Sequence, residues 1–239
     1  MKLRFGDIFA QAGNLWRSES ALLVPLAAIF FFLPVLAVLL VVPIVDLGGL
    51  EGEARAEAML ATIRGHLPWT LAQAVVQTFG VGTILTLLLD PARPTVGEAI
   101  RRAFVRLPGL LVARLCALAG VALGLLAFVV PGLYLIGRTF LTSSVYIAEP
   151  ARGPVGAAIA GFERTVGNGW LLFLVFGTVT TASQLLGSIA SQGLLGLPAG
   201  GWITFPFVAL VAAGMSAIIL VTVLLEAAAY RSLPVPEAG

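Results

Sequence analysis

Lysine, histidine and cysteine each occur only once in this chain of 239 residues, and charge of either sign is scarce. A single histidine, His66, cannot supply the helically spaced pair that a zinc hydrolase needs. Lys2 is the only lysine, so no serine–lysine pair can form in a buried centre. Cys116 stands alone inside an apolar run; it can form no intramolecular disulfide and reads as a small packing residue. Neither a Gly-x-Ser-x-Gly elbow nor a phosphate-cradling Walker A loop occurs. No catalytic, cofactor-binding or metal-ligating set emerges, and the chain reads as a non-enzyme.

The shortage of charge excludes more. Only 11% of residues are Asp, Glu, Lys or Arg, against about one quarter in soluble domains, so this chain could not clothe itself in a water-facing surface. The pI near 9.1 does not indicate nucleic acid, because the formal net charge is only +2 and no basic cluster with interleaved aromatics exists. Thirteen arginines against one lysine fit a GC-rich bacterial genome.

Long uncharged runs fill the rest, at a mean hydropathy of +1.03. Ala21 to Val45 is 25 residues without a charge. At ~1.5 Å per residue such a helix crosses a ~30 Å hydrocarbon core with some tilt. It is too long for a signal-peptide core, and Asp7 and Glu19 precede it, so it reads as a retained helix. The apolar runs predict an all-α, polytopic transmembrane bundle of six spans, at 21–45, 69–89, 108–130, 131–148, 170–192 and 202–225. Val130-Pro131-Gly132 reads as the tight hairpin between the third and fourth spans. Pro25, Pro34 and Pro43 predict a bend or break in the first.

Arginine and lysine set the orientation. Both termini on the cytoplasmic side place ten basic residues inside and leave only Arg55 and Arg64 outside, beside Asp46, Glu51, Glu53 and Glu57. The expected location is a bacterial inner membrane.

Internal similarity divides this single membrane domain, 1–239. Residues 90–100 align without gaps on 149–159, identical at seven of eleven positions, with Asp90 matched by Glu149. Each copy leads into an amphipathic pattern, Val96, Ile100, Ala103, Phe104 and Leu107 in one and Val155, Ile159, Phe162 and Val166 in the other. Phe5, Ile8, Phe9, Ala12, Leu15 and Trp16 form a weaker third. The expectation is three units, 4–89, 90–148 and 149–226, each an interfacial amphipathic helix followed by two spans. In the outer loop, 46–68, Met59, Leu60, Ile63 and Leu67 offer another interfacial face, where His66 is solvated or interfacial rather than a ligand.

Polar residues inside spans are the candidate sites. Gly177, Thr181, Gln184, Ser188 and Ser191 step down one face of the fifth span, and Thr70, Gln73, Gln77 and Gly80 down the second. Ala113, Ala117, Gly120 and Gly124 form a small-residue packing seam in the third. The amide stripes suit either dry interhelical packing or a polar conduit. Tyr134, Arg138, Thr142 and Tyr146 share a face of the fourth span. An intramembrane arginine costs ~2.5 kcal/mol or more without a partner, so Arg138 either bonds helix-end carbonyls, snorkels, or holds an anion or lipid headgroup. Arg114 reads as a snorkeller, and Asp90, Glu149 and Glu226 as acids at cytoplasmic helix ends.

Pro131 to Arg138, the acid Glu149, then Ala158 to Arg164 and Gly167-Asn-Gly-Trp170 resemble the membrane domains associated with glycerophosphoryl diester phosphodiesterases and their stand-alone bacterial relatives. The match covers about residues 90–175. It implies an inner-membrane bundle and carries over no hydrolase activity, because that family's catalytic domain is a separate soluble barrel with no counterpart in this sequence. The expected role is a structural or accessory subunit among membrane lipids and partner proteins or further copies of itself; the alternative is a conduit for a small solute or lipid.

Overall fold

A computed structural model describes residues 4–42, 51–196 and 204–233, with some side chains at 127–131 and 195 left aside, and shows helices as the only regular structure among them. Five helices are long and apolar enough to cross a membrane: Phe5–Val41, Gly52–Leu89, Val96–Leu126, Gly169–Leu194 and Thr204–Ser232. Hydropathy thus places the chain in a membrane on its own helices. The far end of the expected first span (with Pro43), part of the outer loop at 46–50 and the extreme termini lie outside the described residues.

The first span begins earlier than the sequence suggests. α1 (Phe5–Ala27) passes through a π-helical turn, Ala28–Phe32, into α2 (Leu33–Val41) without leaving helical geometry. The expected bend takes this form because the Pro34 ring would strike the Phe30 carbonyl in a regular turn; the wider π turn separates them.

α3 (Gly52–Leu89) is one helix of 38 residues, which replaces most of the expected outer loop. Its first half is rich in Ala, Glu and Arg, all good helix formers, so the helix forms without an apolar core to hold it. Met59, Leu60, Ile63 and Leu67 remain exposed on it.

α4 (Val96–Ala127) starts on a capping box: the Glu98 N–H donates to Thr95 Oγ1 and the Thr95 N–H to Glu98 Oε2. It then runs for 32 residues without a break. The expected interfacial helices at 4–16 and 95–106 are therefore not separate elements: each continues into its span, past Gly13 and Asn14 in α1 and past Pro108 in α4. The apolar residues of the first point into the bundle, with Ile8, Ala12 and Leu15 buried, whereas in the second Phe104 is 68% exposed while Ala99 and Ala103 face inward. Only the last is a distinct helix, α7 (Gly153–Arg164), cut off by a turn in which Gly167 takes φ +78. It starts two residues earlier than its sequence counterpart in α4, and its buried side carries Ala157, Ala160 and Gly161.

The hairpin after α4 also differs from expectation. The chain turns at Phe128 (φ −161, ψ 146), and Pro131 falls in the first turn of α5 (Val129–Thr139), where a missing N–H costs nothing. Gly132 allows the close return, since a Cβ there would meet the Leu125 backbone at 2.7 Å. The expected fourth span is divided into α5 and the seven-residue α6 (Thr142–Ala148). Thr139, Thr142, Ser143 and Ser144 cluster at the division, and hydroxyl side chains compete for backbone bonds that a continuous helix would use. Together α5 and α6 run antiparallel to α4: Gly132 lies on Leu125, Ser143 bonds Arg114 and Tyr146 meets Arg106.

α8 (Gly169–Leu195) and α9 (Thr204–Ser232) complete the bundle. α9 packs along α1, α2 and α8, and its inner half supplies Val223 to Leu225 and Ala227 to Ala229 to the core beside Ile8, Leu23, Phe31, Ile84 and Leu110.

Candidate functional site

The polar interior is organised around the gap between α5 and α6. Breaking a helix leaves carbonyls without partners on one side and N–H groups on the other. Thr165 Oγ1 lies 3.0 Å from the Arg138 carbonyl at the α5 end, sharing its one proton with the Gly161 and Phe162 carbonyls of its own turn. On the α6 side the Ser144 N–H donates to Glu226 Oε1 at 2.8 Å. A carboxyl group from α9 thus caps a helix start inside the bundle, where backbone dipoles favour it.

Arg114 approaches the same place from α4. Its Nε donates to Ser143 Oγ and its Nη1 to Thr78 Oγ1, both at 3.2 Å. The two charges connect through the adjacent residues Ser143 and Ser144 and lie near enough to attract one another. The two sequence readings that touch this centre are corrected. Arg114 is not a snorkeller, because its guanidinium finds hydroxyl partners inward; Glu226, read as an acid at a cytoplasmic helix end, is drawn into the bundle and is 5% exposed. No sequence motif announces the pair, since their contacts bridge α3, α4, α6 and α9. Thr142 Oγ1 and Ser144 Oγ are also buried there, without partners in the described structure.

Arg138 is buried and bonds helix-end carbonyls, one of the roles its position suggested. Nε and Nη2 both donate to the Phe162 carbonyl, at 3.0 and 2.5 Å, and Nη1 donates to Tyr134 Oη at 2.8 Å. The guanidinium also lies 3.8 Å from the Phe162 ring centroid. Gly169 sits against Tyr134 and the Arg138 stem, and a Cβ on Gly137 would strike the Gly169 carbonyl. These contacts join α5, the end of α7 and the start of α8. Thr142 packs under Gly161.

At the end where the charge rule places the cytoplasm, the repeated acids hold arginines. Glu149 Oε1 pairs with Arg164 and accepts from Tyr230 Oη, while Oε2 pairs with Arg152. Asp90 Oδ2 pairs with Arg102 and Oδ1 accepts the Ala92 N–H. Arg231 donates to the Leu88 carbonyl, closing the end of α3.

The amide stripes are not brought into this centre. Thr181, Gln184 and Ser188 are exposed on the outer side of α8; Ser188 bonds only its own helix. Gln73 and Gln77 are half-buried on α3. Of the packing pair, Gly124 lies tight on Gly132 and Leu135, whereas nothing approaches Gly120. Among the described residues no group of His, Cys, Asp or Glu could hold a metal ion. Comparison of the chain with protein-family models, curated proteins and solved structures gives no match.

Proposed function

We propose that the chain is a six-crossing helical protein of a bacterial inner membrane, with both termini cytoplasmic, acting as a non-enzymatic structural or accessory subunit among lipids and partner proteins. The observation carrying this reading is that its interior charges serve as cross-ties. Arg138, Arg114 and Glu226 each bond another helix of the same chain, and Arg164 pairs with Glu149. The outward amide stripe on α8 adds to it, because an amide facing hydrocarbon gains from a hydrogen-bonding neighbour.

The sixth crossing is assigned to α5 with α6, which together return along α4. The internal similarity is retained as a shared device, an acid pinned by an arginine from the following helix. The resemblance to phosphodiesterase-associated membrane domains rests on the sequence alone; the residues that carry it form the Arg138–Phe162, Gly137–Gly169 and Glu149–Arg164 contacts. One observation favours the conduit instead. A broken helix at membrane depth, with a carboxyl group at the break, is how many transporters build a binding site.

Two measurements decide. A reporter fused after Gly239 is expected to be active only in the cytoplasm, and one inserted near Glu53 only outside. A C-terminus on the opposite side would remove the crossing assigned to α5 and α6. In a Cys116→Ala background, Gln184→Cys and Gln77→Cys are expected to resist a membrane-impermeant maleimide until the bilayer is dissolved. Ready labelling of both in intact membranes would favour a water-filled path and overturn the subunit reading.

A further inference from the structure

A cleft of about 570 Å³ opens between α1, the end of α3, the 90–94 turn and the end of α9. That volume falls within the ~300–1,000 Å³ usual for small-ligand sites. Its walls are of two kinds. Leu22, Leu23, Leu87 and Leu88 make an apolar side, on which Leu22 is exposed, while Glu19, Arg93 and Arg231 bring charge to the rim. A second, adjoining hollow shares Leu15, Ser18 and Arg231 and adds Gln11 and Asn14, extending the polar side along α1.

The charges are not all committed. Asp90 also lines the cleft, but Arg102 and the Ala92 N–H already satisfy it. Arg231 spends one nitrogen on the Leu88 carbonyl and keeps the others. Neither Arg93 nor Glu19 has a side-chain partner among the described residues. Arg93 moreover stands at φ +45, the left-handed region where glycine or asparagine sits with less strain. A position that accepts this backbone cost supplies a guanidinium to the cleft mouth.

The geometry points to a binding site for a phospholipid with a primary ammonium in its headgroup, its phosphate on Arg93 and Arg231, its ammonium on Glu19 and an acyl chain along the leucine wall. Two guanidinium groups match a phosphodiester's oxygens, and a carboxylate is the complement of an N–H-bearing cation. A soluble phosphate ester offers the same polar chemistry; the leucine side is what selects the lipid. The site rests on the membrane reading proposed above but not on the side of the membrane to which the termini are assigned.

The test uses the full chain, delipidated in detergent and offered phosphatidylethanolamine, phosphatidylcholine or phosphatidylglycerol, with bound lipid read by native mass spectrometry. Phosphatidylethanolamine is expected to be retained about tenfold better than phosphatidylcholine, which has no N–H donor for Glu19. Glu19→Gln should erase most of that preference, and Arg93→Asn, which suits the left-handed backbone, should weaken retention of all three. Both variants are first checked for the parent's elution volume and helical circular dichroism. Equal retention of the lipids by the parent, or an Arg93→Asn chain that binds as the parent does, overturns the site. Excess O-phosphoethanolamine should fail to displace the lipid. Displacement at equal concentration would assign the cleft to a soluble phosphate ester and overturn the lipid. None of these readouts depends on terminus orientation or maleimide access, so this site and the subunit reading can fail separately.

Discussion

Arg114→Met is expected to lower the stability of the folded chain by roughly 3–5 kcal/mol, the usual consequence of removing one partner from a buried charged pair. Glu226 would then lose its counter-charge while still accepting from the Ser144 N–H, and Thr78 and Ser143 would lose their donor. The double variant Arg114→Met/Glu226→Gln should recover most of the loss, because the glutamine carbonyl still accepts from Ser144 while no net charge is buried. Thermal unfolding in detergent, followed by tryptophan fluorescence, reads the four members of this cycle. If the two single substitutions simply add in the double variant, the charges are not coupled and the centre is two separate hydrogen-bonded sites.

Arg138→Leu is expected to remove about 2–4 kcal/mol, since three hydrogen bonds and a cation–π contact disappear together and the Phe162 carbonyl loses its guanidinium donor. Arg138→Lys should restore less than half of this. A lysine ammonium lacks the planar fork that reaches Phe162 and Tyr134 at once. Unfolding temperature in the same detergent provides the comparison, with retention of the α7–α8 turn followed by hydrogen exchange near Gly167. An Arg138→Leu chain as stable as the parent would reduce Arg138 to a tolerated charge.

The membrane class was legible because hydropathy acts locally: each long run declares its environment without reference to any other residue. Arg138 was legible for the same reason, as a charge among apolar neighbours. The Arg114–Glu226 centre was not. Each residue lies close enough to a predicted helix end to pass as an interfacial charge, and the partners that draw them inward come from elements 29 to 82 positions away. Helix continuity was equally hidden. An amphipathic stretch followed by an apolar run has the same pattern whether the helix breaks, as between α7 and α8, or continues, as in α4. What separates the two is a short turn with Gly167 at positive φ, a feature of backbone geometry rather than of periodicity. Gln184 shows the converse. Its stripe follows helical spacing, but periodicity does not say whether that face turns toward the bundle or away from it.

The interruption between α5 and α6 also orders events in time. Ser144 leaves the ribosome 82 residues ahead of the glutamate that satisfies its N–H. At ~5–20 residues per second that is roughly 4–16 s of synthesis. During that interval the α4–α5–α6 hairpin has an unpaired backbone group and Arg114 has no counter-charge from α9. Water or the insertion machinery must solvate the break until α9 arrives. The Ser144–Glu226 contact is therefore completed only once α9, the last of the described helices to be made, is in place.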